Sequence, residues 1–210
     1  MNKEDNFKEK FKQALFSTAK VISDDFKPIN LRKNNSSDNT NFFEIDNLNN
    51  KNDFIKLRAK SDSGALKKKF SNPETYKKNL PNKSSYIPLY EISEKIRYEL
   101  LGSKILKGVS KNFKENYTQQ INLKRKDQLK TKEDVGINEA FELYMLKKFF
   151  KINLNSLSNK ILNFWEKDFD HFLKNKIDYL NNNIENQKIY NSIFSEIFGK
   201  MNIFQNENEK

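Results

Sequence analysis

Residues 89–113 read LYEISEKIRYELLGSKILKGVSKNF, and no other stretch constrains the fold as much. Leu89, Ile92, Ile96 and Leu100 recur at three- and four-residue intervals, the spacing that aligns side chains on one side of an α-helix. Arg97 falls between that stripe and a second apolar pair, Tyr90 and Leu101, while Glu99 flanks Ile92 and Ile96. Both charges therefore bracket the apolar face and are expected to be partly exposed. A charge held there needs a partner, either within the fold or on another subunit. Glu94 lies three residues before Arg97, close enough on a helix to pair with it. Two uses stay open: an internal ion pair that orders the core, and a direct contact with a partner protein. The same alternatives apply to Arg58 and Asp62, spaced i, i+4 on a predicted helix over 53–70. Ser84 or Ser85 is the expected cap of a helix over 84–101, with Gly102 as its stop.

Helical spacing recurs along most of the chain. Over 3–22 it is carried by Phe7, Phe11, Leu15 and Ile22, with Ala14, Ala19 and Val21 beside them. Over 53–70 the apolar positions are Phe54, Leu57, Ala65, Leu66 and Phe70, with Asn52 or Asp53 as N-cap. Gly64 weakens that helix by about 1 kcal/mol relative to alanine. One helical turn is expected over 74–79, between Pro73 and Pro81, and a helix over 109–120 after Gly108. Three further helices are predicted over 136–150, 156–178 and 185–201, the middle one containing Trp165. With 5 Gly and 4 Pro in 210 residues, the chain lacks the turn formers of a β-sandwich or barrel. The expected fold is all-α, an irregular multi-helix domain, with at most a small β element near 28–48, from 29–32 or 42–45. A single domain is expected over 1–202. It includes a flexible loop region over 28–51, rich in Asn and Ser, and a charged loop or protruding helix end over 121–134. Residues 203–210 read as a disordered polar tail.

Residue types limit the chemistry. Without cysteine there is no disulfide, thiolate metal site or cysteine nucleophile. The one histidine, His171, rules out HExxH and His-rich metal clusters, and it reads as a surface or boundary residue. No GxxxxGK[ST] loop is present to cradle nucleotide phosphates, and no GxGxxG. No DxDxDG or DxSxS pattern marks a carboxylate Mg²⁺ site. No catalytic, cofactor-binding or metal-ligating residue is therefore expected. The net charge is +11, but only Arg32, Arg58, Arg97 and Arg125 among 39 basic residues are arginine. Lysine and asparagine are spread evenly, which fits a compositional bias better than a focused nucleic-acid surface. The N-terminus has no signal-peptide h-region, and no apolar run approaches the roughly 20 residues that span a bilayer. A soluble, cytoplasmic protein is expected, with no membrane partner. Arg97→Lys is expected to disturb folding or assembly more than Arg125→Lys, because Arg125 lies in a solvated charge run.

Arg58, Asp62, Ala65 and Leu66 resemble the RGxADxxAL motif of the T subunit of the aerobic cobaltochelatase, the CobT family. Glu91, Glu94, Arg97, Glu99, Leu101, Gly102, Gly108, Val109 and Asn112 resemble that family's (I/F)(D/E)xxExxRxExLGxxxxxGVxxN segment. The two motifs occur in the family's order, and the resemblance covers about 5–202. It implies a non-catalytic subunit of a ligase that inserts Co²⁺ into hydrogenobyrinic acid a,c-diamide on the aerobic route to cobalamin. The implied partners are an AAA+ ATPase subunit (CobS-like) and a large chelating subunit (CobN-like), in an oligomer that uses ATP, Mg²⁺ and Co²⁺. The alternative is a free-standing helical adaptor or regulator of that ATPase, with a basic nucleic-acid-binding protein behind it. Arg58, Asp62, Glu91, Glu94, Arg97, Glu99, Gly102, Gly108 and Asn112 are the candidate structural or interface motif.

Three departures from the family pattern stand out. Longer members carry an acidic linker and a C-terminal von Willebrand A-type domain, so this chain is expected to be a truncated, split-gene or reduced form. Ser71 stands where the family commonly has a histidine. Ala59 and Ser61 replace the motif's glycine and the alanine before its aspartate.

Overall fold

The computed structural model describes residues 3–25, 48, 50–122 and 131–203. Among the described residues every regular element is a helix and there is no strand, as the recurrent helical spacing predicts. Their order is α1 (Lys3–Ser23), α2 (Lys51–Phe70), α3 (Pro73–Lys78), α4 (Ile87–Ile105), α5 (Lys107–Asn122) and α6 (Ile137–Lys148). These are followed by α7 (Ser156–Asn163), α8 (Glu166–Leu173), α9 (Ile177–Asn182) and α10 (Gln187–Lys200). Single 3₁₀ turns occupy Ser84–Tyr86 and Lys174–Lys176. The β segments considered over 29–32 and 42–45, most of the 28–51 loop, Arg125 and the tail from 204 lie outside the described residues.

The chain forms two compact units, Met1–Phe70 and Ser71–Lys210. In the first, α1 and α2 pack on each other around Leu15, Leu48 and Leu57, with Phe11 and Phe54 against them. Phe54 meets Phe11 edge-on at 4.9 Å and Phe7 at 5.7 Å. Phe7 nevertheless stays 58% exposed and Val21 63%, so the apolar stripe read over 3–22 is only partly covered. Exposed ion pairs join the ends of the two helices, Lys69 to Asp24 at 2.8 Å and Lys68 to Asp25. Such pairs contribute little individually.

The second unit is built round α4, which packs against α5, α6 and α10, while α6 also packs on α7 and α8. Leu89, Tyr90 and Ile96 of α4, Ala140, Phe141, Tyr144 and Met145 of α6, and Tyr190 and Phe194 of α10 are completely buried. Phe141 is a hub, edge-on to Phe169 at 5.3 Å and to Phe198 at 5.9 Å. Full burial of such side chains contributes about 1.5–3 kcal/mol each, which lets a chain of modest apolar content hold a core.

The boundaries differ from the sequence reading where local chemistry has several solutions. α2 is capped by Asn50, not by Asn52 or Asp53. The Asn50 side-chain oxygen accepts from the N–H of Asn52 and of Asp53, and Asp53 accepts in return from the Asn50 N–H at 3.1 Å. Neither Ser84 nor Ser85 caps α4. They form a 3₁₀ turn, and α4 starts at Ile87 with Pro88 in its first turn, where proline's missing N–H costs nothing. Gly102 does not stop the helix. It lies buried inside α4, its carbonyl accepts from the Leu106 N–H at 2.8 Å, and the chain turns extended only at Leu106. Gly108 likewise sits in the first turn of α5 and does not precede the helix. The long helix read over 156–178 is three shorter ones, bending at Phe164–Trp165 and again at the second 3₁₀ turn.

Candidate functional site

The residues with the most unusual surroundings lie on α4. A helix packed on one side buries a stripe; α4 has neighbours on several sides and buries Ser93, Glu94, Arg97, Tyr98 and Glu99 along with its apolar residues. Arg97 is 0% exposed and Glu99 1%, so the partial exposure expected of them is corrected. A single-helix projection does not see neighbours, and three helices pack on this one.

Glu94 and Arg97 pair as their spacing predicts. The Arg97 Nε donates to Glu94 Oε2 at 2.8 Å and one terminal nitrogen donates to Oε1 at 2.9 Å. The other terminal nitrogen donates to the Ile184 carbonyl, just before α10, at 3.2 Å. Two more donors converge on Glu94 Oε1: the Ser71 hydroxyl at 2.6 Å and the Gln187 side-chain amide at 3.0 Å. Gln187 opens α10 and also exchanges bonds with the Asn72 backbone, accepting from its N–H at 2.7 Å and donating to its carbonyl at 3.2 Å. One carboxylate thus ties together the segment before α3, the middle of α4 and the start of α10. The Tyr190 hydroxyl donates to the Ser93 carbonyl at 3.2 Å beside it. Burial, reinforced by the charge of Glu94 and opposed by that of Arg97, pushes the Tyr190 hydroxyl well above its ordinary pKa.

A second polar cluster lies nearer α5 and α6. The Tyr117 hydroxyl of α5 donates to the buried Glu99 carboxylate. Lys95 reaches Glu142 of α6 at 3.3 Å and lies over the Tyr117 ring, 5.4 Å from its centre. Burial pushes Tyr117 well above its ordinary pKa, and the neighbouring Glu99 charge adds to this. Burial opposes the Lys95 charge, but Glu99 and Glu142 outweigh it and hold the amine above its usual value.

The remaining motif residues are dispersed. Glu91 is exposed on α4, Asn112 half-buried on α5, and Gly108 exposed at the start of α5. In the first unit Asp62 is 2% exposed, with Ala65 and Leu66 buried beside it. Arg58 is exposed, its guanidinium 5.8 Å from the centre of the Phe11 ring. His171 is exposed, as read, and its ring lies edge-on to Phe172. Sequence reasoning missed Ser71, Tyr117, Glu142 and Gln187 as partners of the α4 charges. Ser71 had a signal, as the departure from the family's histidine two dozen residues before Glu94. The others are brought in by helix packing, which leaves no local trace.

In chemical terms the α4 cluster is closed. Both oxygens of Glu94 are occupied by donors, and the carboxylate has almost no exposure through which to meet a substrate. Among the described residues no group of three or more His, Asp or Glu is placed to hold a metal ion, and no helix is long and apolar enough to cross a membrane. The family model for the cobalamin biosynthesis protein CobT matches residues 5–210. No curated protein and no solved structure matches the chain.

Proposed function

Because the chain belongs to the CobT family of cobalamin biosynthesis proteins, we propose that it is a non-catalytic subunit of an ATP-dependent cobaltochelatase. In this reading it assembles in the cytoplasm with an AAA+ ATPase subunit and a large chelating subunit. The complex inserts Co²⁺ into hydrogenobyrinic acid a,c-diamide, using ATP and Mg²⁺ held by the partners. The observation that carries the reading is the fate of the family motif on α4. Glu94, Arg97 and Glu99 are buried and engaged with other side chains or backbone, so they hold helices in place and leave no group free for chemistry. A subunit that transmits conformational work needs such a stiff core and needs no active site of its own.

Reconstitution with subunits omitted one at a time tests this. Cobalt insertion is expected with the three chains and ATP together, and none from this chain with ATP, Mg²⁺, Co²⁺ and substrate alone. Insertion by this chain alone would overturn the non-catalytic assignment. Inhibition of an otherwise working chelatase would favour the adaptor or regulator reading instead.

A further inference from the structure

The α4–α5 junction carries a surface that the buried network does not use. Ile105 and Leu106, at the end of α4, are 60% and 37% exposed. They lead directly into α5, where Lys107, Lys111, Lys114 and Thr118 are all exposed. Their i, i+4, i+7, i+11 spacing places them in one strip along the helix. Five of the other lysines in this unit, Lys95, Lys132, Lys147, Lys148 and Lys200, each hold a carboxylate. Among the described residues no carboxylate pairs with Lys107, Lys111 or Lys114. Glu115 is the one acidic residue of α5 and is half-buried. Next to Lys107 the surface is open: a Cβ added at Gly108 would meet no atom of a neighbouring element within 4 Å.

We propose that this strip docks an acidic segment of a partner polypeptide, with carboxylates on Lys107, Lys111 and Lys114 and an apolar side chain on Ile105 and Leu106. Charge complementarity selects the acid, and the lysines span about 10 Å along the axis, so the segment needs carboxylates spread over a comparable length. The apolar pair selects a peptide over a nucleic acid, because aliphatic side chains give phosphates nothing and the strip offers no aromatic ring for a base. A lipid surface is disfavoured because the apolar face of α5, formed by Val109, Phe113, Tyr117 and Ile121, is already buried in the unit, leaving only Ile105 and Leu106, too little apolar area to insert. This surface stands independently of the chelatase reading, since it rests on the exposure and charge of these residues alone.

The test is fluorescence anisotropy at low salt, using the whole chain and a labelled synthetic peptide of two leucines followed by spaced glutamates. The peptide should bind, protect α5 in hydrogen exchange and be released by salt. Reversing the strip with Lys107→Glu, Lys111→Glu and Lys114→Glu should weaken binding about tenfold, three exposed ion pairs being lost. Gly108→Glu, which has open space for its side chain, should weaken it with no fall in the melting temperature, since replacing a glycine in the first turn of α5 favours the helix. Reversing the exposed Lys51, Lys56 and Lys60 of α2 to glutamate should leave binding intact. Equal weakening by that control would reduce the effect to net charge and overturn the proposal. So would equal binding of a peptide with serines for the leucines, or tighter binding of a single-stranded oligonucleotide or of anionic vesicles through the same lysines.

Discussion

Arg97 has no exposure, and burying a guanidinium costs several kcal/mol unless its donors are matched. Here the planar fork meets both oxygens of Glu94 and a third donor meets the Ile184 carbonyl. A lysine offers a point charge and cannot reproduce that geometry. Arg97→Lys should therefore lose about 2–4 kcal/mol in urea titration, approaching the cost of breaking a buried pair. Arg58→Lys, at an exposed position, should stay within about 0.5 kcal/mol. Ser61 makes the opposite prediction. It replaces the motif's alanine, is 1% exposed, and its hydroxyl has no hydrogen-bond partner. Ser61→Ala removes a buried unsatisfied group and should raise stability by about 1 kcal/mol; a loss of stability would show that the hydroxyl is paired. The sequence alone placed Glu94 next to Arg97 because the pairing is local. It left the burial of both, and the roles of Ser71 and Gln187, illegible because these depend on neighbours far along the chain.

At the scale of the element, the asparagine excess has a structural use. Asn50, Asn72, Asn155 and Asn186 each accept from a backbone N–H in the first turn of α2, α3, α7 and α10. Asparagine is among the best N-caps because its side-chain oxygen reaches an otherwise unpaired N–H. Asn50→Ala should cost about 1 kcal/mol, whereas Asn52→Ala should be close to neutral; comparing the two melting curves checks the cap position. The existence of most helices was legible from spacing, but their ends were not. Residues 50–53 offer three adequate caps, and only the geometry selects one. Gly102 looked like a stop, yet glycine inside a helix costs only about 1 kcal/mol, and a buried site can accept the missing side chain. The apolar residues of 156–178 keep near-helical spacing across each bend, so their period does not reveal the breaks.

Across the molecule, buried and half-buried tyrosines are expected to set the alkaline limit. Burial, with Glu91 and Glu94 nearby, raises Tyr76 to about 12. Burial also raises Tyr90, helped by Glu94, and Tyr144, helped by its hydrogen bond to Asp170. Tyr117, Tyr190 and Lys95 move the same way. A group with a folded pKa above its unfolded one keeps a proton that the unfolded chain releases. The stability these groups confer is whole below about pH 10 and is lost as pH rises from there toward their folded values. Urea midpoints should fall steeply above about pH 10, with tyrosinate absorbance appearing together with unfolding; free titration of these tyrosines before unfolding would contradict their burial. The single domain read over 1–202 is likewise a proposal about cooperativity. It requires one calorimetric transition with matching calorimetric and van't Hoff enthalpies, and two separated transitions would make Met1–Phe70 and Ser71–Lys210 independent domains. The central claim is that the buried α4 network organises a subunit and performs no chemistry. Its most direct test is cobalt insertion by reconstituted complexes containing either the wild-type chain or Glu94→Gln, normalised to the amount of complex formed. The account predicts a lower melting temperature and less complex for Glu94→Gln, with an unchanged rate per assembled complex; full assembly with the rate abolished would contradict it.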